Sequence, residues 1–226
     1  METEELTTAA RRLAEQLKPG DLDETLRGIT AAAVEVLPDV HMASITVRHA
    51  DGRLETSAPT DEVLYAVDAA QYELQEGPCY ETATNVAHVT APQLARDDRF
   101  PRYRRVALDA GIQAQAGIRL FDSARSNGAL NLYSHRPGAF EDLGFLAALF
   151  AHQSAMALAF AREIENLRSA VATRQLIGQA VGIVMQRYQL NDESAFAFLS
   201  RLSQNSNVKL RDVAGAMVED VRSRKS

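Results

Sequence analysis

From residue 143 to residue 161 the chain runs nineteen residues without a charge, past the roughly 18 apolar residues at which a membrane span is first considered. The content of the run argues against a span. Seven of the nineteen are alanine, Gly144 stands near the start, and His152, Gln153 and Ser154 fall together at the middle, where a bilayer is driest and polar groups cost most. What the run carries instead is spacing. Leu143, Leu146 and Phe150, then Ala157, Phe160, Ile164, Leu167 and Val171, follow alternating steps of three and four with a fault only at Gln153. This register marks a helix packed lengthwise on another helix, and at this length it predicts a homodimer seam over residues 143–171. Beyond Val171 the phase changes, and Ile177, Ala180, Val184 and Tyr188 open a fresh apolar face for a different partner.

The rest of the chain reads as a mixed domain followed by a small helical one. With 226 residues, 46% hydrophobic and 24% charged, it has the balance of a soluble globular protein of one or two domains. Leu6, Ala9, Ala10, Leu13 and Leu17 recur at helical spacing, Pro19-Gly20 breaks the chain, and residues 21–37 resume with Leu22, Leu26, Ile29, Ala33 and Val36 on one face. Residues 41–58 predict a hairpin: Met42, Ser44 and Thr46 alternate with Ala43, Ile45 and Val47, and Asp51-Gly52 supplies a two-residue turn. A helix over 61–74, a short strand near 86–89, a helix over 101–110 and a second hairpin over 112–134, its turn marked by Ser126-Asn127-Gly128, complete the pattern. The order predicts an α+β fold, an antiparallel sheet with flanking helices. After the long helix, Asn191 can cap a short one through its side chain, with Asp192 and Glu193 in its first turn. Leu210, Val213, Ala214, Met217 and Val221 give another, so three amphipathic segments can close into a bundle.

Charge and chemistry narrow the function. Up to Ala161 the chain has net charge −9 and beyond it +3, together the −6 of the whole, an asymmetry that hints at nucleic-acid contact at the basic end. The five histidines, at positions 41, 49, 88, 135 and 152, never fall into H-x-x-x-H, so no zinc pattern is present. The phosphate-loop, dinucleotide and nucleophile-elbow motifs are likewise missing. The single cysteine, Cys79, rules out a disulfide framework, and the acidic start without a basic, apolar leader predicts the reducing cytosol. Behind Gly77-Pro78, Cys79 stands in the first turn of a short helix, which allows either an activated thiolate or a small buried hydrophobe. His152 likewise allows a ligand or haem contact or a polar core position.

Two stretches resemble known families. Arg174-Gln175-Leu176-Ile177-Gly178-Gln179-Ala180-Val181-Gly182-Ile183-Val184-Met185, then Ser194-Ala195-Phe196, then residues 210–214, resemble the ANTAR domain. Upstream, Glu76-Gly77-Pro78-Cys79-Tyr80-Glu81, Asp98-Arg99-Phe100-Pro101 and Gly128-Ala129-Leu130-Asn131-Leu132-Tyr133-Ser134 look like the GAF domains fused to ANTAR modules in bacterial regulators. The resemblances imply a GAF-like sensor over residues 1–165, joined by the long helix to an ANTAR-like three-helix bundle over 166–226 that binds paired RNA stem-loops as a dimer in transcription antitermination. Two departures stand out: Val181 where a lysine is common, which removes a cation, and Phe100 where tryptophan is common, which keeps an aromatic anchor.

The implied RNA contacts are Arg174, Gln179, Arg187, Tyr188, Arg201, Lys209 and Arg211, cations for phosphates, Gln179 for a base edge and Tyr188 for stacking on an unpaired base. In this fold family the helices after the first hairpin wall a pocket, here marked by Cys79, Tyr80 and Asn131, for a small molecule; no cofactor is named. The expected function is a signal- or ligand-responsive RNA-binding antitermination regulator, not an enzyme. The alternatives are a dimeric interaction module without RNA binding and, last, a thiol reductase lacking a resolving cysteine.

Overall fold

The computed structural model describes residues 21–122, 126–141 and 144–223. The expected helix over residues 6–17 and the link within the second hairpin lie outside the described residues. The chain divides into two compact units, Met1–Arg162 and Glu163–Ser226.

The first unit opens with helix α1 (Leu22–Val36), capped by the Asp21 carboxylate, which accepts from the Glu24 N–H at 2.8 Å. Strands β1 (Met42–His49) and β2 (Leu54–Ser57) form the expected hairpin. Helices α2 (Val63–Leu74) and α3 (Pro78–Thr84), strand β3 (His88–Ala91) and helix α4 (Tyr103–Asp109) follow, then β4 (Ala114–Asp122) and β5 (Ser126–Ser134). All pairings are antiparallel, as the sequence predicts, and the strand order is β2-β1-β5-β4-β3. Ser126, Asn127 and Gly128 are strand residues rather than a turn: Gly128 faces Val47 across β1, and the Phe121 ring lies where its side chain would be. The glycine serves a close approach inside a strand.

The period of two along each strand sorts the core into two layers. Ala43, Ile45, Leu130 and Leu132 face Leu26, Ile29 and Ala33 of α1 and Phe150, Ala151 and Leu158 of the long helix α5 (Gly144–Tyr188). The opposite face, with Met42 and Tyr133, packs on Leu64, Val67, Cys79 and Tyr103 from α2, α3 and α4. The expected seam is thereby divided. Phe150 and Ala157 are buried in their own unit, because the apolar sheet face needs a cover, whereas Phe160, Leu167 and Val171 are exposed. The side chains of Leu143 and Leu146 lie outside the described residues. His152 is exposed, and Ser154 holds the polar core position on this helix. Among the described residues no helix is long and apolar enough to cross a membrane.

In the second unit the end of α5 packs with α6 (Asp192–Ser206) and α7 (Leu210–Ser223) around Ala180, Val184, Ala195, Leu199, Ala214 and Val218. Half of that core is alanine. Asn191 caps α6 as expected, accepting from the Ser194 N–H at 2.9 Å, and Asn207 ends it in the left-handed conformation.

Truncating Phe150 removes a fully buried ring. Phe150→Ala is expected to cost the first unit about 3–5 kcal/mol, seen as a lower urea midpoint that does not depend on protein concentration. Val171→Ala, at a site 67% exposed, leaves that transition in place.

Candidate functional site

The second face of the sheet is polar yet buried. Ser44 and Thr46 of β1, Gln115 of β4 and Asn131 of β5 are all fully buried, so their hydrogen bonds must be made inside the protein. Asp68 of α2 is the hub. Its Oδ2 accepts from the Ser44 hydroxyl at 2.8 Å and the Thr56 hydroxyl at 3.1 Å, and its Oδ1 accepts from the Tyr133 hydroxyl and from Gln71 Nε2 at 3.4 Å. A second line of contacts runs through α3 and α4. Gln115 Nε2 donates to Cys79 Sγ at 2.8 Å, Gln71 Nε2 to the same sulfur at 3.0 Å, and the Tyr103 hydroxyl to Gln115 Oε1 at 2.6 Å. At the outer edge the Tyr72 hydroxyl bonds Thr46 Oγ1 at 2.8 Å and Thr56 Oγ1 at 3.0 Å, and Asn131 Nδ2 donates to Ser44 and Thr46.

The Gly77-Pro78-Cys79 turn makes this arrangement possible. Gly77 has φ +117°, which glycine adopts readily, and any side chain there would run into Gln71. Gln71 instead reaches across and accepts from the Cys79 N–H at 2.9 Å. The outcome for the thiol is the opposite of activation. Burial, reinforced by the neighbouring Asp68, pushes the Cys79 thiol well up, so the helix start does not yield a thiolate and Cys79 is a neutral interior group. Burial likewise raises Asp68, against the donors from Tyr133, Ser44, Cys79 and Thr56 that pull it down.

Of the expected pocket residues, Cys79 and Asn131 meet in this layer, each fully buried. Tyr80, half-buried on α3, does not join the hydrogen-bond network. Sequence reasoning missed Asp68, Gln71, Tyr72, Gln115 and Tyr133. The usable signal was Asp68 and Gln71 at the positions four and seven after Leu64, on the apolar side of α2 where a solvated helix carries no acid.

The second unit exposes every expected RNA contact. Arg174, Gln179, Arg187, Arg201, Lys209 and Arg211 are solvent-facing, and Tyr188 is 51% exposed with its ring 5.4 Å from that of Phe198. They do not form one patch. At about 100° per residue, Arg174 and Arg187 point to different sides of α5, and Arg187 and Arg211 each have an acid beside them, Asp220 at 3.8 Å and Asp212 at 3.0 Å. A surface that sequence reasoning missed is the amide face of α5. Gln175, Gln179 and Gln186 share one side of the helix with Gly182, all exposed. Val181 is half-buried against the bundle core, so replacing the common lysine adds apolar packing where it removes a cation.

Known proteins place these units. A GAF domain model matches residues 20–159 and an ANTAR domain model residues 165–218. The chain belongs to the GAF domain family and carries an ANTAR domain after it. No curated protein matches it. Among solved structures it is similar to the N-acylhomoserine lactone dependent LuxR-family transcription factor CepR2 of Burkholderia cenocepacia, with 14% identity, 72% of this chain and 99% of that one covered, and a TM-score of 0.57. It is also similar to the GAF domain of a phosphoenolpyruvate-protein phosphotransferase from Coxiella burnetii, with 14% identity, coverage of 76% and 99%, and a TM-score of 0.52. The photosensory core module of the Stigmatella aurantiaca phytochrome gives 13%, 88% and 44%, and 0.57. At these identities the likeness is one of fold. An ANTAR domain marks an RNA-binding antitermination regulator and a GAF domain a sensory one, and both are regulatory rather than catalytic.

The raised Asp68 has a measurable consequence. The folded protein holds a proton on Asp68 at pH values where the unfolded chain has released it, so stability falls as pH rises from the ordinary Asp range toward the folded value. Asp68→Asn, which cannot ionise, is expected to flatten that fall in urea titrations carried upward from the ordinary Asp range.

Proposed function

We propose that this protein is a signal- or ligand-responsive RNA-binding antitermination regulator, cytoplasmic, non-enzymatic and active as a homodimer. One observation carries the dimeric reading. Phe160 (56% exposed), Leu167 (57%) and Val171 (67%), with Ile164 half-buried, continue the three-four register of α5 and have no cover of their own. A stripe of that spacing is the seam of a two-helix packing, and a second copy supplies the same stripe. It lies on the helix shared by both units, so sensing in one and RNA binding in the other have a common element.

The RNA reading rests on the ANTAR match and on the chemistry of its surface. Arg174, Arg187, Arg201, Lys209 and Arg211 supply cations for phosphates, Tyr188 a ring for an unpaired base, and Gln179 an amide for a base edge, flanked by Gln175 and Gln186. Paired stem-loops suit a dimer because two bundles present two such surfaces.

Two tests separate the parts. Replacing Phe160 and Ile164 together by glutamate is expected to give monomers in sedimentation with the first unit still folded, since neither residue belongs to its buried core; a surviving dimer removes the seam. Filter binding to a tandem stem-loop RNA is expected to weaken steeply with salt, each phosphate contact adding roughly 0.7–0.9 to the double-logarithmic slope. Alanine at Arg174 or Lys209 lowers that slope by about one unit, whereas alanine at Gln179 or Tyr188 relaxes discrimination between loops at nearly constant slope. If no salt-sensitive binding is seen until Val181→Lys is introduced, the reading becomes a dimeric sensor module without RNA binding.

A further inference from the structure

A first unit that answers a ligand can take only the chemistry its interior allows. On that ligand-responsive reading, we propose that the polar layer between the sheet and α2–α3 takes a small molecule with a cationic amine head, held by Asp68 and Asn131 and admitted past Tyr72.

Charge comes first. Among the described residues the hydrogen-bonded layer holds one carboxyl, Asp68, and no lysine, arginine or histidine. The arginine of β4 that faces α3, Arg119, is engaged with the carbonyls of Thr82 and Val86 and with the Asp122 carboxylate. A phosphate or carboxylate brought here would meet a carboxyl and no counter-charge, at a large desolvation cost.

Unpartnered atoms come second. Asn131 Oδ1 and Thr82 Oγ1 are buried without a hydrogen-bond partner. Asn131 spends its amide protons on Ser44 and Thr46, which leaves its oxygen facing inward as a pure acceptor. Thr82 Oγ1 sits over Gly117, and Gly117 is the cross-strand partner of Asn131, so the two lie in one neighbourhood. Asn131 Oδ1, on an amide bonded to the same Ser44 hydroxyl that donates to Asp68, is satisfied by N–H donors. An ammonium offers three of them with the charge that Asp68 complements, whereas an acyl chain or other apolar ligand leaves every one of these oxygens unpaired.

Access comes third. Ser44, Thr46, Asp68, Gln71, Cys79, Gln115, Asn131 and Tyr133 are buried, and the half-buried members are Thr56 and Tyr72. Rotating Tyr72 outward breaks its bonds to Thr46 and Thr56 and frees the Thr56 hydroxyl, which donates to Asp68 Oδ2 at 3.1 Å and is the donor an ammonium replaces. On return, the Tyr72 ring can cover the bound cation.

The test uses the full chain and three probes of matched size, n-propylammonium, 1-propanol and propionate, at equal concentration and ionic strength. The ammonium is expected to raise the thermal midpoint of the first unit in proportion to the logarithm of its concentration, and the other two not to. Asp68→Asn should weaken the effect at least tenfold. Because Asp68→Asn can disturb folding, Tyr72→Phe provides a milder variant: it keeps the ring, loses the latch, and should bind the ammonium several-fold more tightly. Stabilisation by propionate or propanol in place of the ammonium overturns the amine class and leaves a ligand-responsive unit standing. An ammonium effect equal in Asp68→Asn, or unaltered in Tyr72→Phe, overturns the site. No shift with any probe overturns the site and removes this interior as support for the ligand reading.

Discussion

A carboxyl placed entirely out of water must find its partners in the protein, and Asp68 does so by drawing five elements to one point. Ser44 comes from β1, Thr56 from β2, Gln71 from its own helix, Cys79 from α3 and Tyr133 from β5. Leaving such a group short of donors costs far more than a typical hydrogen bond contributes, so these elements are held in fixed relation. The Gly77 turn follows from the same demand, since only a residue without a side chain lets α3 descend onto Gln71. The opposite sheet face has no comparable requirement. It is held by non-directional contacts of Leu, Ile, Phe and Ala, which fill space without fixing a hydrogen-bond geometry.

Much of this was legible in the sequence, and the failures have physical causes. The alternation of Ala43, Ile45 and Val47 with Met42, Ser44 and Thr46 gave the strand and its two faces, because the period of two is a property of the backbone itself. It could not reveal that the Ser44 and Thr46 face is covered: a polar strand face looks the same whether it meets water or a layer of polar helices, and the difference lies in residues remote in sequence such as Asp68 and Tyr72. The cap at Asn191 was readable because capping is local. Ser126-Asn127-Gly128 misled because a glycine needed for a turn and a glycine needed beneath the Phe121 ring leave the same mark. Cys79 allowed two readings from sequence, and the buried one holds. The helix start was correctly placed, but burial beside Asp68 outweighs the dipole of one short helix.

The long helix shows how one periodic signal can serve several owners. Three-four spacing from residue 143 to residue 171 reads as one seam, yet Phe150, Ala151 and Leu158 belong to the sheet and Phe160, Leu167 and Val171 face solvent. Spacing reports that a helix has an apolar side and says nothing of what covers it. Ala147 and Ala151 pack with Phe150 and Leu158 in the core on the sheet side, and Ala157 and Ala161 are buried as well; a helix side that is buried in its own unit carries no charge, which accounts for the run without a membrane.

Packing in a shared core also fixes azimuth. With Phe150 and Leu158 locked against Ile45, Leu130 and Leu132, the turn of the helix determines the direction in which Phe160 points, because the angle per residue is set by the backbone. Leu130 and Leu132 alternate along β5 with Asn131 and Tyr133, so the strand that carries the apolar floor under the helix carries the polar ceiling of the Asp68 layer on its other side. A shift of β5 that accommodates a change at Asn131 or Tyr133 is thus felt at Leu130 and Leu132 within one residue. A close-packed interior does not absorb such a shift by compression; it passes it to Phe150 and Leu158.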